Sequence, residues 1–396
     1  MTVSHVVRDI FLRRHPIWFV IAAALLALGL AAYALSKPKY GWDVTTYIGC
    51  VHHFLEGESW ADTHDWTYRY LAERFPGDVF TEMTTSPPGI SLYRSIIATD
   101  PEAYRQRLSA SCYKVGFLAP VIALTAAGMD PYLAARVTAA VPAAVFLMIA
   151  VMWAGGRAPG WQALLFAILG AFAGLLQTAR YEYPDGMTAL FIGAALILFC
   201  ESRLRAACAL FLLAMIVRAD AILYFGMFLF YATFIAAPSR RMRFLEAVPW
   251  GLAALGIWAT ITGFVETPTY AQAFHHSFIS NAPYILDLEP DLSLPAYLEV
   301  LIRQIGVVAG KSWKYPVLIL MAVTAAALSW KREGLRPLGD VALVSLLMVT
   351  FHFLFIPWFD TRYYAAPYFM IVVCFGIVVS ARITERMVAR KSIDQA

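Results

Sequence analysis

The chain has 396 residues, of which 60% are hydrophobic and 15% charged, against roughly 45–50% apolar and 25% charged in a soluble domain. That balance excludes a fold that stands in water, so lipid is the solvent for most of the chain. The net charge of +4 is modest, and the basic residues sit in short clusters between apolar runs, which excludes nucleic acid as a partner and marks the clusters as topology signals.

A helix needs about 18–20 apolar residues to cross roughly 30 Å of hydrocarbon. The run from Ile17 to Leu35 follows MTVSHVVRDIFLRRH and shows no cleavage context, so it reads as an anchored first helix rather than a removed signal. Further membrane helices are expected near 131–153, 161–178, 186–202, 204–217, 221–237, 247–265, 313–329, 339–356 and 364–382, ten in all. With these spans Arg13-Arg14, Arg203-Arg205, Arg240-Arg241-Arg243, Lys331-Arg332 and Arg382-Arg386-Arg390-Lys391 fall on one side, the cytoplasmic one by the positive-inside rule. Both termini are then cytoplasmic. Segments 36–130 and 266–312 and the turns near 179–185 and 357–363 face the other side.

The first outer loop opens KPKYGWDVTTYIGCVHHFLEGE. Tyr47, Val51, Phe54 and Leu55 recur at helical spacing, so 43–56 is expected to lie along the membrane surface with Asp43 at its N-terminus. A carboxylate there serves as a cap, worth about 1 kcal/mol, and Trp42 beside it as an interfacial anchor. Of the five cysteines only Cys50 and Cys112, both in this loop, are placed to pair; Cys200, Cys208 and Cys374 fall in apolar runs. Segment 115–128 reads as a juxtamembrane or re-entrant helix, since a full span there would reverse the helices after it.

Helices 204–217 and 221–237 form a hairpin whose tip carries Arg218 and Asp220. Ionisable residues at membrane depth mark function by default, and an internal salt bridge that fixes the hairpin is the alternative. ARYEYPDG at 179–186 packs Arg180, Glu182 and Asp185 into one short turn, where Asp185 serves either as a helix cap or as a functional acid. His52-His53 and His275-His276 are poor metal ligands, because adjacent residues on a helix point about 100° apart. Outer-loop aromatics (Trp60, Trp66, Tyr68, Tyr70, Tyr270, Phe274, Tyr284) suit either stacking on sugars or an interfacial belt.

Trp42-Asp43, the Pro87-Pro88 element, DPYLAAR at 130–136, EYPDG at 182–186 and RYYAAP at 362–367 follow one another in an order that resembles the GT-C superfamily, which includes protein O-mannosyltransferases and the aminoarabinose and galacturonic acid transferases of lipid A. The resemblance spans Trp42 to Pro367. It implies an all-α polytopic bundle of ten or eleven spans with periplasmic juxtamembrane helices in the first outer loop and one membrane-embedded domain over 1–396; the chain departs from several family branches in that no separate soluble C-terminal domain is expected, which leaves acceptor recognition to loops 36–130 and 266–312. It further implies inverting transfer of a sugar from a polyprenyl-phosphate donor to a hydroxyl of a lipid, glycan or protein acceptor, in a bacterial inner membrane with the site facing the periplasm.

By that resemblance Asp43 matches the general base. Glu182 and Asp185 match a second acidic site that orients the acceptor, or binds a divalent cation (Mg or Mn) in members that use one. His275 or His276 would bind acceptor hydroxyls. A lipid-phosphate leaving group calls for fixed positive charge. Arg362, flanked by Tyr363, fits that need, with Lys311 and Lys314 as second choices and a salt bridge to Asp360 as the plainer role for Arg362. Ser86 stands where some lipid A sugar transferases carry a lysine before the Pro-Pro element. An O-antigen polymerase or ligase is the alternative enzyme, and a secondary transporter the alternative outside enzymes, although no internal repeat is visible.

Overall fold

The computed structural model describes residues 15–86, 92–263, 266–311 and 313–394. Arg13-Arg14, the Pro87-Pro88 element and the side chains of Lys311 and Lys391 lie outside the described residues. Every element among the described residues is helical.

Helix α1 (Ile17–Ser36) leads into an outer layer of six short helices: α2 (Val44–Glu56), α3 (Trp60–Arg74), α4 (Gly77–Thr84), α5 (Tyr93–Thr99), α6 (Pro101–Cys112) and α7 (Val115–Ala126). Local chemistry sets their ends. Asp100 accepts from the backbone N–H of Glu102 and Ala103 with Pro101 at the first helical position, and Asp130 does the same for Leu133 ahead of Pro131. Helices α6 and α7 meet at 105°. A Cys50–Cys112 disulfide ties α2 to the end of α6, with 5.4 Å between the Cα atoms. Tyr47, Ile48, Tyr104, Leu108 and Phe117 form the core of this layer.

The bundle proper comprises α1, α8 (Pro131–Gly155), α9 (Gly160–Arg180), α10 (Asp185–Cys200), α11 (Leu204–Val217), α12 (Ala221–Ile235), α13 (Phe244–Gly263), α16 (Lys314–Ser329), α17 (Arg336–Phe355) and α18 (Ala365–Asp394). A second outer segment carries α14 (Tyr270–Phe278) and α15 (Leu294–Lys311). All ten expected apolar helices therefore form, yet the count of spans is lower. Among the described residues six are long and apolar enough to cross a bilayer, α1, α8, α9, α13, α17 and α18, and eight do if the bent pairs α6–α7 and α15–α16 each count as one. Apolarity alone does not distinguish a full span from a shorter helix, and α10, α11 and α12 are short.

Charged clamps gather at one end of the bundle. Arg157 pairs with Glu201, Arg240 and Arg336 converge on buried Asp340, and Arg332 lies 3.7 Å from Glu385. At the other end Arg136 donates to the carbonyls of Ala34 and Leu35, satisfying the last turn of α1 where a cation is favoured by the helix dipole. Gly116 brings α7 against the Ile216–Val217 backbone, so the α11–α12 tip reaches the outer layer; a Cβ there would sit 2.8 Å from the Ile216 carbonyl carbon. One expectation fails in this layer. Residues Val44–His52 are buried on every side, so α2 is an internal helix rather than one resting on a membrane surface.

Candidate functional site

A cavity of about 600 Å³ opens between the outer layer and the bundle. Its charged wall is assembled from segments far apart in sequence: Asp43 before α2, Arg107 on α6, Lys114 at the α6–α7 knee, Asp185 at the start of α10, Arg218 and Asp220 at the hairpin tip, His276 on α14, and Arg362 and Tyr363 before α18. Ile222, Leu223, Leu255, Trp258, Phe355 and Ile356 make an apolar wall, partly from α12 and α13. Helix α13 is among the least covered helices of the bundle, with Leu252, Leu255 and Trp258 exposed. The cavity is thus amphipathic, lined by cations and acids and also by apolar side chains, two of which, Leu255 and Trp258, are exposed on α13.

Asp43 precedes α2 but does not cap it with its side chain, so the carboxylate is left for the cavity. Arg107 Nη2 lies 3.4 Å from its Oδ1. Burial opposes its ionisation, and the Arg107 guanidinium, with Arg362 and Lys114 farther off, outweighs burial and holds the carboxyl below its ordinary value. Trp42 is fixed by donating from Nε1 to the Met83 carbonyl at 2.8 Å, and its ring lies 4.9 Å from the Arg107 guanidinium carbon, so it orders the site rather than anchoring in a headgroup layer.

Arg218 binds three ways. It contacts Asp185, donates from Nε to Asp220 Oδ1 at 2.8 Å, and stacks over Tyr363 with 4.5 Å to the ring centroid. Asp220 in turn meets His352 Nε2 at 3.2 Å, and the His352 ring stacks on Tyr224. The internal salt bridge is therefore real, and it also cross-links the hairpin tip to α10, α17 and the start of α18. Asp185 is held by Arg218 and caps nothing with its side chain.

Arg362 Nε lies 3.1 Å from Asp360 Oδ2, so that pair forms too. The contact lacks hydrogen-bond alignment, and both Arg362 Nε and Arg107 Nε are buried donors with no hydrogen-bond acceptor. The Arg362 guanidinium carbon sits 4.3 Å from the Tyr183 ring centroid and 4.9 Å from that of Tyr363.

Several expected residues stand elsewhere. Glu182 does not line the cavity; it is fully buried and accepts from the Gly41 N–H at 2.8 Å, leaving Oε2 without a partner. Burial pushes its carboxyl up to about 8. His275 turns outward to Ser280 and the Asp291 N–H, while its neighbour His276 is buried beside Arg107, its pKa pushed down to about 3 by burial and by that guanidinium. Helical spacing separates the two, since neighbours point about 100° apart. Lys314 does not line the cavity. Most of the aromatics pack on each other or on histidines: Trp66 on His52, Trp60 on His53, Tyr68 on Tyr104. Tyr270 and Phe274 do reach the cavity.

Arg107, Lys114 and Tyr183 belong to the site without any sequence signal that singled them out. Arg107 sits in an ordinary charged helix, and its partner Asp43 is 64 positions away. Among the described residues no three His, Cys, Asp or Glu side chains converge to hold a metal ion. Comparison with protein-family models, curated proteins and solved structures finds no match to this chain.

Proposed function

We propose that the protein is an integral membrane glycosyltransferase that moves a sugar from a polyprenyl-phosphate donor to a hydroxyl acceptor, with the cavity on the outer face. The observation that carries this reading is the amphipathic cavity, lined both by the cationic side chains of Arg107, Lys114, Arg218 and Arg362 and by the apolar side chains of Ile222, Leu223, Leu255 and Trp258. A ligand with an anionic head and a long apolar chain satisfies both walls at once. The Cys50–Cys112 disulfide supports the outward orientation, because such bonds persist in oxidising compartments.

In this reading the acceptor oxygen attacks the anomeric carbon from the face opposite the phosphate. The carbon–oxygen bond to phosphate breaks, its electron pair stays on the phosphate oxygen, and the hydroxyl proton passes to Asp43, which is ionised at neutral pH. Arg362 and Arg107 stabilise the developing phosphate charge from positions already fixed by their carboxylate and aromatic neighbours. His276, neutral and buried, contributes hydrogen bonding rather than charge.

The test is transfer by purified protein from a panel of polyprenyl-phosphate sugars into an extract of the native envelope. Product formation that depends on Asp43 supports the reading. Absence of transfer from every donor, together with substrate-driven flux in proteoliposomes, would instead establish a transporter.

A further inference from the structure

Each arginine on the cavity wall already has a carboxylate. Arg107 has Asp43, Arg218 has Asp185 and Asp220, and Arg362 has Asp360. Lys114 is different: among the described residues no carboxylate lies within ion-pair distance of it, and its ammonium donates only to the Tyr47 hydroxyl at 2.8 Å while lying 4.8 Å from that ring's centroid. A compact ammonium with one hydrogen bond used has two donors left, and they lie at a cavity wall rather than in bulk water.

Its position is also fixed from both sides. Two residues before it, Cys112 is bonded to Cys50; two residues after it, Gly116 rests on the backbone of the hairpin tip. The backbone leaves the α6 direction at this residue and turns by 105°. Such a support holds a side chain in place before any ligand arrives, which is what strong anion binding needs.

We propose that Lys114 is a phosphate-binding residue, the one cavity cation among the described residues whose charge is reserved for the oxyanion of the ligand. The assignment rests on the glycosyltransferase reading only for the source of that phosphate. Lys114 would take an oxyanion that Arg107 and Arg362 flank, with Tyr47 holding the ammonium in the direction of the cavity.

Binding of farnesyl phosphate, farnesol and inorganic phosphate to detergent-purified protein decides the matter, with melting temperatures measured alongside. Lys114→Gln should weaken farnesyl phosphate by about tenfold to a hundredfold, the range for losing a hydrogen bond to a charged group. Farnesol affinity should stay unchanged. Lys114→Arg, which retains the charge, should recover most of the loss, and Tyr47→Phe should show a smaller loss. Equal farnesyl phosphate affinity in wild type and Lys114→Gln overturns the assignment, as does a loss in Lys114→Gln shared by farnesol or a wild-type protein that binds neither phosphate. Inorganic phosphate bound as tightly as farnesyl phosphate, with the same dependence on Lys114, would keep the phosphate site and reject the lipid donor.

Discussion

Replacing Glu182 by glutamine should stabilise the protein, and by an amount that grows with pH. Glu182 is a carboxyl whose folded pKa is raised, from an ordinary 4.5 to about 8, because burial disfavours its charged form. Below pH 4.5 the acid is neutral in both folded and unfolded chains and costs nothing. As pH rises from there the unfolded chain gains the freedom to ionise while the folded one does not, so stability falls by about 1.4 kcal/mol per pH unit until pH 8 and then levels. At pH 7 the accumulated cost is about 3 kcal/mol, and at pH 5 below about 1 kcal/mol. Glutamine keeps an oxygen for the Gly41 N–H and has no proton to lose. Thermal unfolding of wild type and Glu182→Gln in one detergent between pH 5 and 9 reads this as a widening gap in melting temperature. A gap that does not change with pH, or a variant less stable than wild type at pH 8, would refute the account of a buried neutral acid.

Asp43→Asn should lower transfer by about a hundredfold to ten-thousandfold, the range for losing a general base, with donor affinity and melting temperature nearly unchanged; near-normal turnover would sink the mechanism. Arg362→Ala should weaken donor binding with only partial recovery in Arg362→Lys, because an ammonium lacks the guanidinium fork. Asp360→Ala should then leave donor affinity intact, whereas equal melting-temperature losses in both singles and in the double mutant would reduce Arg362 to a structural partner. Gly41→Ala should destabilise by about 1–3 kcal/mol, since a methyl group there collides with the Tyr183 hydroxyl, and Tyr183→Phe should relieve part of it; equal stability of Gly41→Ala and wild type by thermal unfolding would contradict the close approach. Cysteines placed at Asp62 and Pro290 should react with an impermeant reagent from outside and one at Arg332 from inside, and the reverse pattern would invert the assigned sides.

The apolar helices were legible because lipid imposes a composition that a single sequence displays, and Asp43, Asp185, Arg218 and Arg362 stood out as ionisable residues beside long apolar runs. The structure gathers all four around one cavity. Arg107 and Lys114 were not legible, because their importance comes from what α6 and the 105° turn bring them next to, and a charged residue in a polar loop carries no mark of its partner. Glu182 misled for the opposite reason. It shares a turn with Asp185, but the chain is extended at Tyr181 and αR at Pro184, and only the later acid faces the cavity. The surface placement of α2 failed because its period matches a one-sided helix while α3, α6 and α7 close over its other face.

The shortness of α10, α11 and α12 bears on the bilayer itself. With 16, 14 and 15 residues they extend about 24, 21 and 22 Å, against roughly 30 Å of hydrocarbon. If these short helices cross the bilayer as well, membrane beside them would have to dip by about 6–9 Å, and the hairpin tip with Arg218 and Asp220 would mark the floor of that dip. A phosphate reaching this floor would be drawn below the plane of the surrounding headgroups, so the acceptor would have to descend to meet it. Reconstitution in phosphatidylcholine bilayers of graded chain length should then give the highest activity in the thinner ones, and activity rising steadily with thickness would argue that the protein flattens no lipid around it.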